Sequence, residues 1–258
     1  MGGVIRASGL GPAFGVDQRL DAGGVEFGFK LGGMVSQSST DVNLYSFGQS
    51  SIESVGATVY AGYRRDTSGF AVGFGAGFAS NSALGSRAIT VPTLAQVLIG
   101  KTKSTSLQYF AEASYDFAGS ANTRIEPFAR IARVELDSKA FTETGGSAAL
   151  RGDKQSNSRT MAGAGIRGAH ASANMTLNAS IGWQRTSGDL SAPTNLKLSL
   201  IDTPYEVHSA ALDRNAVTLD TQASFRLSSH MMFGIGYNAI AGKNNRSHGA
   251  RATIRYAF

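Results

Sequence analysis

Residues 107–117 read LQYFAEASYDF. Leu107, Tyr109, Ala111, Ala113, Tyr115 and Phe117 occupy one parity, and Gln108, Phe110, Glu112, Ser114 and Asp116 the other. Successive side chains of a strand point to opposite faces, so the stretch reads as a strand with one apolar and one mostly polar face. Its length decides between two settings. Strands of soluble proteins usually run ~5–6 residues. A tilted strand that crosses a bilayer needs ~9–11.

The same alternation recurs along the chain. Val25, Phe27, Phe29 and Leu31 interleave with Glu26, Gly28, Lys30 and Gly32, and Phe70, Val72, Phe74, Ala76 and Phe78 with Ala71, Gly73, Gly75 and Gly77. Leu177, Ala179, Ile181 and Trp183 repeat it, as do Val217 to Leu227 and Met231 to Ala239 on odd positions. The other parity carries Gly, Ala and Ser with isolated charges. A water-facing sheet would be denser in Lys and Glu. Small residues with single charges suit an enclosed wet lumen, and the apolar parity then faces lipid. Tyr63, Tyr115, Phe117, Tyr256 and Phe258 fall near strand ends on the apolar parity, where barrels carry aromatic girdles.

The pattern predicts strands over 3–9, 13–20, 25–37, 52–64, 69–81, 104–117, 124–138, 158–169, 175–186, 215–227, 231–242 and 248–258, about twelve in all. GLGP (9–12) is read as the first turn. Short connections at 21–24, 66–69, 118–123, 170–174 and 228–230 alternate with long ones around 38–51, 82–103, 139–157 and 187–214. The expectation is an all-β, transmembrane, antiparallel up-and-down barrel, with short periplasmic turns and longer extracellular loops. The whole of 1–258 reads as one such barrel. An even strand count puts both termini at the periplasmic rim. The polar stretches within 82–103 and 187–214 are too long for plain turns and are expected to rise above the membrane as hairpins.

Composition excludes several classes. The 258 residues include 32 Gly, 5 Pro, 1 Trp and no Cys, so disulfides and thiolate metal sites are absent. Mean hydropathy is −0.09 and the pI about 9.7. The formal charge of +6 is spread singly, and Arg64-Arg65 is the densest basic run, too little for nucleic acid. The most apolar run, 69–79, is too short for a membrane helix. MGGVIRASG has no apolar core of a signal peptide, so an export signal is expected upstream, with Met1-Gly2-Gly3 a cut point.

Four local patterns then resemble a known family. VYAGYR (59–64), FAEASYDF (110–117), IEPFARIARV (125–134) followed by FTETGGSAAL (141–150), and the terminal HGARATIRYAF (248–258) resemble, in order and spacing, the C-terminal translocator domain of autotransporters, the type V secretion proteins of Gram-negative bacteria. The resemblance covers about 12–258. It implies a twelve-stranded outer-membrane barrel that anchors an upstream passenger and supports its export to the cell surface. It implies outer-membrane lipid, the barrel-assembly machinery and the chain's own passenger or linker segment as partners, and a monomer. It also implies that Phe258, Tyr256 and Ile254 form an assembly signal. The passenger and the family's lumen helix are expected to lie outside this sequence.

The lumen parity carries Glu26, Lys30, Glu112, Asp116, Glu126, Arg130, Arg167, Asp220, Arg226, Arg251 and Arg255. A confined charge is costly unless paired or hydrated, so mixed signs point to cross-strand pairs. Such a lining holds or passes an unfolded polypeptide, or it rigidifies the barrel. Some autotransporters cut their own linker with lumen carboxylates. Glu112 and Asp116 share a face but lie ~13 Å apart along the strand, too far for a coupled acid pair. His170, His208, His230 and His248 have no metal-ligand spacing, and no cofactor is expected. A small channel without a passenger is the alternative reading. A barrel enzyme is a third, but no G-x-S-x-G elbow or strand Ser-His pair supports it.

Overall fold

A computed structural model describes residues 6–10, 13–21, 27–43, 48–65, 69–92, 94–120, 122–209 and 211–256, with side chains only from residue 48 onward. Its elements are strands throughout: β1 (Arg6–Leu10), β2 (Ala13–Asp21), β3 (Phe27–Asn43), β4 (Gln49–Arg65), β5 (Phe70–Val91), β6 (Leu94–Tyr115), β7 (Phe117–Ser120), β8 (Thr123–Ser138), β9 (Phe141–Thr144), β10 (Leu150–Gly152), β11 (Gln155–Ala171), β12 (Met175–Gly188), β13 (Pro193–Leu198), β14 (Ile201–His208), β15 (Asn215–Arg226), β16 (Met231–Gly242) and β17 (Arg246–Tyr256). The long strand lines pair antiparallel, each with the lines before and after it in the chain, as in a meander. No helix long and apolar enough to cross a membrane occurs among the described residues.

The expected first hairpin is not there. β1 pairs Arg6 with Asn43 and Leu10 with Ser39, and β2 pairs Ala13 with Ser36 and Asp21 with Gly28. The register is the same on both sides of Gly11-Pro12, so β1 and β2 form one line against β3. Gly11-Pro12, which reads as a turn in sequence, lies outside the described residues. β6 and β7 are likewise one line interrupted at Asp116, because Ser114 faces Phe128 and Phe117 faces Ile125 without a shift. With these joined, and the short β9, β10, β13 and β14 set aside, eleven long lines remain. Among the described residues Arg6 is in register with Asn43 beside the β3–β4 connection and Tyr256 with Met231 beside the β15–β16 connection, and the chain termini lie outside the described residues.

The alternating loop lengths also take another form. β3 and β4 run on through most of the expected loop at 38–51, leaving only 44–48 between them. β5 and β6 pair without interruption from Phe70–Tyr115 to Val91–Leu94. A strand of 22 residues spans roughly 75 Å, far beyond the ~9–11 residues of a crossing, so the upper halves stand clear as a hairpin. The stretch 187–214 forms a second hairpin, β13–β14. β6 pairs β9, β9 pairs β10 and β10 pairs β13, which joins these hairpins into one raised sheet.

Burial shows which solvent the lower sheet needs. Among the described residues only Ala71, Leu98, Phe128 and Ala149 are buried hydrophobics. Val59, Phe74, Phe78, Ile131, Ile166, Ile181 and Ile235 are each at least half exposed, and all lie on the apolar parity of their strands. Contiguous apolar surface on this scale is unusual for a water-facing monomer. Such a surface has the character of the outer face of a membrane barrel, which needs no protein core to cover it. Tyr115, Phe117 and Tyr256 are exposed on the same face at the short-connection rim, with the Tyr115 and Phe117 rings 4.9 Å apart.

Candidate functional site

The polar face of the sheet gathers its charges into separate clusters. The largest centres on Arg167 of β11. Its register partner on β8 is Glu126, and the guanidinium donates to Glu126 at 3.0 Å. The other terminal nitrogen reaches across β8 to Glu112 of β6 at 2.7 Å. Arg167 also lies over the Phe128 ring, 4.9 Å from its centroid, and Arg130 lies over the same ring at 5.9 Å. One planar fork thus ties three adjacent strand lines, a geometry that arginine supports and lysine does not.

Register alone would have paired Glu112 with Arg130, which sit directly opposite. Arg130 instead stacks on Phe128 and donates to Gln184 at 3.4 Å. Phe128 is the residue that sequence reading missed. It is an aromatic on the polar parity, 7% exposed, and it organises both arginines. Its signal was present in the even spacing from Glu126 to Arg130.

A second cluster lies on the far side of the meander. Arg251 of β17 spans β16 and donates to both Asp220 oxygens at 2.9 Å. Gln222 accepts from it at 3.4 Å. Gly236 lies between them, and a Cβ there would approach Arg251 Nε to 2.9 Å. Glycine at this position is a condition for the arginine to lie flat across the strand.

The remaining candidates are dispersed. Asp116 is 3% exposed and faces Arg124 at 3.6 Å, so Glu112 and Asp116 serve different cations and do not act as an acid pair. Arg226 and Arg255 flank Met232 in register at the short-connection rim and form no ion pair among the described residues. Lys30 is placed opposite Gly62 by its backbone register. Glu26, Phe258 and the Lys30 side chain lie outside the described residues. Ile254 and Tyr256 are exposed on the apolar face. No group of three or more His, Cys, Asp or Glu that could hold a metal occurs among the described residues.

A family profile, described as Autotransporter beta-domain, matches residues 5–238. The chain belongs to the autotransporter β-domain family. The β-domain is similar in fold to the translocator domain of autotransporter NalP from Neisseria meningitidis, with TM-score 0.73 and 14% identity over 98% of this chain and 82% of that one. It is also similar to the β-domain of the Bordetella autotransporter BrkA, with TM-score 0.71 and 17% identity over 98% and 92%. The sheet is therefore that of an outer-membrane β-barrel. A curated relative, an extracellular serine protease of Serratia marcescens, is 30% identical over 155 residues. That match takes in 58% of this chain and 15% of the relative, so the peptidase named there is not thereby a property of this β-domain.

The Glu-x-Gly-Gly pattern of the β-domain has a structural role in the raised sheet. Glu143 accepts three bonds from Arg87, at 2.9, 3.2 and 2.7 Å, and one from the Leu150 amide at 2.9 Å. This bond holds the Arg87 guanidinium above its already high ordinary pKa. Arg87 also donates to the Ala148 carbonyl, and Leu98 is fully buried beside the loop. Gly145 has φ +113°, and a Cβ there would run into the Val97 carbonyl oxygen. Gly145→Ala is expected to undock segment 145–149, costing about 1–3 kcal/mol locally. Faster amide exchange at Ala149 and Leu150, with the lower barrel unchanged, is the result that checks it.

Asp213 braces the turn after β16 in the same way. Its carboxylate accepts from the backbone N–H groups of Asn244 and Asn245 at 2.9 and 2.7 Å. These bonds, led by that of Asn244, hold the carboxyl below its usual range. A depressed folded pKa gives stability above the unfolded value of ~3.9 that is lost as pH falls through the folded one. Exchange at Asn244 and Asn245, corrected for intrinsic rates, should therefore speed up only in acid. Asp213→Ala should remove that step and leave fast exchange at every pH.

Proposed function

We propose that this β-domain anchors an upstream passenger in the outer membrane and conducts its export to the cell surface, with the polar face lining the route. The observation that carries the reading is the lining itself. Its two main charge clusters are cross-linked internally, Arg167 with Glu112 and Glu126 and Arg251 with Asp220. Charges tied up in such clusters give a passing chain few strong points of attachment at mid-wall, and Arg226 and Arg255 stand apart from them at the short-connection rim. The wall still offers Gln184, Gln222 and Asn238 for transient hydrogen bonds.

On this reading the short-connection rim is periplasmic and the raised sheet stands outside the cell. Tyr256 lies at the periplasmic rim, and the register carries Arg6 to the outer one. Residues 1–258 act as one translocator unit, a monomer whose apolar face meets outer-membrane lipid. Phe258, Tyr256 and Ile254 are read by the barrel-assembly machinery. Deleting Phe258 is expected to lower the yield of folded barrel in the outer membrane without altering refolding in detergent, measured by fractionation and heat-modifiable electrophoretic mobility.

The route is tested by photo-crosslinking in cells whose passenger is stalled during export. A photoreactive residue at Gln184 or Gln222 should crosslink to the upstream segment, and one at Ile181 should not. Equal crosslinking from both faces, or none from the polar face, contradicts a lumenal route.

A further inference from the structure

We infer that three lysines at the long-connection rim form a binding site for the phosphates of an outer-leaflet glycolipid. Lys103 of β6, Lys139 after β8 and Lys154 before β11 line one cavity of about 290 Å³, together with Ser104, Thr105 and Asp137. Three adjacent strand lines bring them together. The Lys139 amide donates to the Lys103 carbonyl at 2.8 Å, and Ser138 is in register with both Ser104 and Gln155. All three lysines are exposed, and none forms an ion pair among the described residues. Asp137 leaves the lining with a net charge of +2. Three like charges held together with one carboxylate among them still repel, and an anion from outside relieves the repulsion.

Position selects the anion. Lys103 and Lys101 continue the parity of Leu107 and Tyr109, the face that meets lipid. An apolar band ~25 Å tall, crossed by a strand tilted ~45°, takes about ten residues. Counted up from Phe117, it ends near Leu107. Lys103 then stands roughly 10 Å higher, and its flexible stem can bring the ammonium down to the headgroup layer. The hydroxyl of Thr105, on the same parity, supplies a donor beside it. The ligand is therefore a phosphate carried by a lipid, held from the side of the barrel. This inference rests on the proposed orientation, with the long-connection rim outside.

The test uses the purified β-domain in neutral detergent, with bound lipid counted by native mass spectrometry. The probes are bisphosphorylated lipid A, its fully dephosphorylated form and inorganic phosphate. Wild type should bind the bisphosphorylated lipid at least about tenfold more tightly than the triple variant K103Q/K139Q/K154Q. Lys243→Gln, which removes one charge at the same rim, should bind as wild type does. Folding of each variant is read from heat-modifiable mobility. If the triple variant does not fold, the three single Lys→Gln variants should each show a partial loss. Equal binding by wild type and variants, or equal binding of the dephosphorylated lipid, overturns the site. Competition by inorganic phosphate as effective as that of the lipid overturns the lipid assignment. A failure of export alone leaves this binding measurement unaffected, so the two readings fail separately.

Discussion

Ile235→Arg should destabilise the folded barrel by ~2–4 kcal/mol, whereas Ser224→Arg should be tolerated far better. Ile235 is half exposed on the apolar face of β16, a few residues above Met231 at the short-connection rim. An arginine there must carry its charge into hydrocarbon or distort the bilayer to reach water. Ser224 is on the opposite parity, one strand away and in register with Gly234, where Gln222 already supplies a polar neighbour. Equilibrium unfolding in lipid vesicles separates the two. Equal losses would mean that the faces have been assigned wrongly.

Arg167→Ala is the second large effect. It leaves Glu112 and Glu126 on the same wall without their shared cation, and it strips the Phe128 ring of a stacked charge. Removing one partner of a fully buried pair costs 3–5 kcal/mol. Arg167 is 34% exposed and Glu112 32%, so water screens part of this, while Glu126 at 10% is more deeply held. About 2–3 kcal/mol is expected. The triple variant Glu112→Gln, Glu126→Gln, Arg167→Met should recover much of it, since no uncompensated charge remains. A loss as large in the triple variant as in Arg167→Ala would locate the stability in packing around Phe128 and not in the charges.

Period two made the barrel legible because lipid imposes one strict requirement on every second residue. Ile181, Trp183, Ile235 and Tyr237 could be assigned to a face from sequence for that reason. The rise of 82–103 as a hairpin followed from its length, but the unbroken pairing of β5 with β6 up to Val91–Leu94 did not. Residues 82–103 stand clear of the membrane span, so lipid no longer fixes one parity there, and Leu98 is buried against 145–149 instead. Gly11-Pro12 misled for a different reason, since local turn chemistry cannot reveal a register that a neighbouring strand enforces. At the charged face, parity gave the side but not the pairing. Glu112 passes over its direct neighbour Arg130 for Arg167 because Phe128 draws Arg130 aside, and three-strand geometry of that kind is not written in any one segment.

The central claim, that this barrel carries an upstream segment to the cell surface, is tested most directly by protease shaving of intact cells. The cells make the complete gene product with an epitope tag placed ahead of Gly2. If the tag is removed by added protease while the barrel stays folded by heat-modifiable mobility, the upstream segment has crossed the outer membrane as predicted. If the barrel is folded in the outer membrane but the tag is degraded only after the cells are opened, the segment has stayed in the periplasm. That result would contradict export and leave a membrane channel in its place.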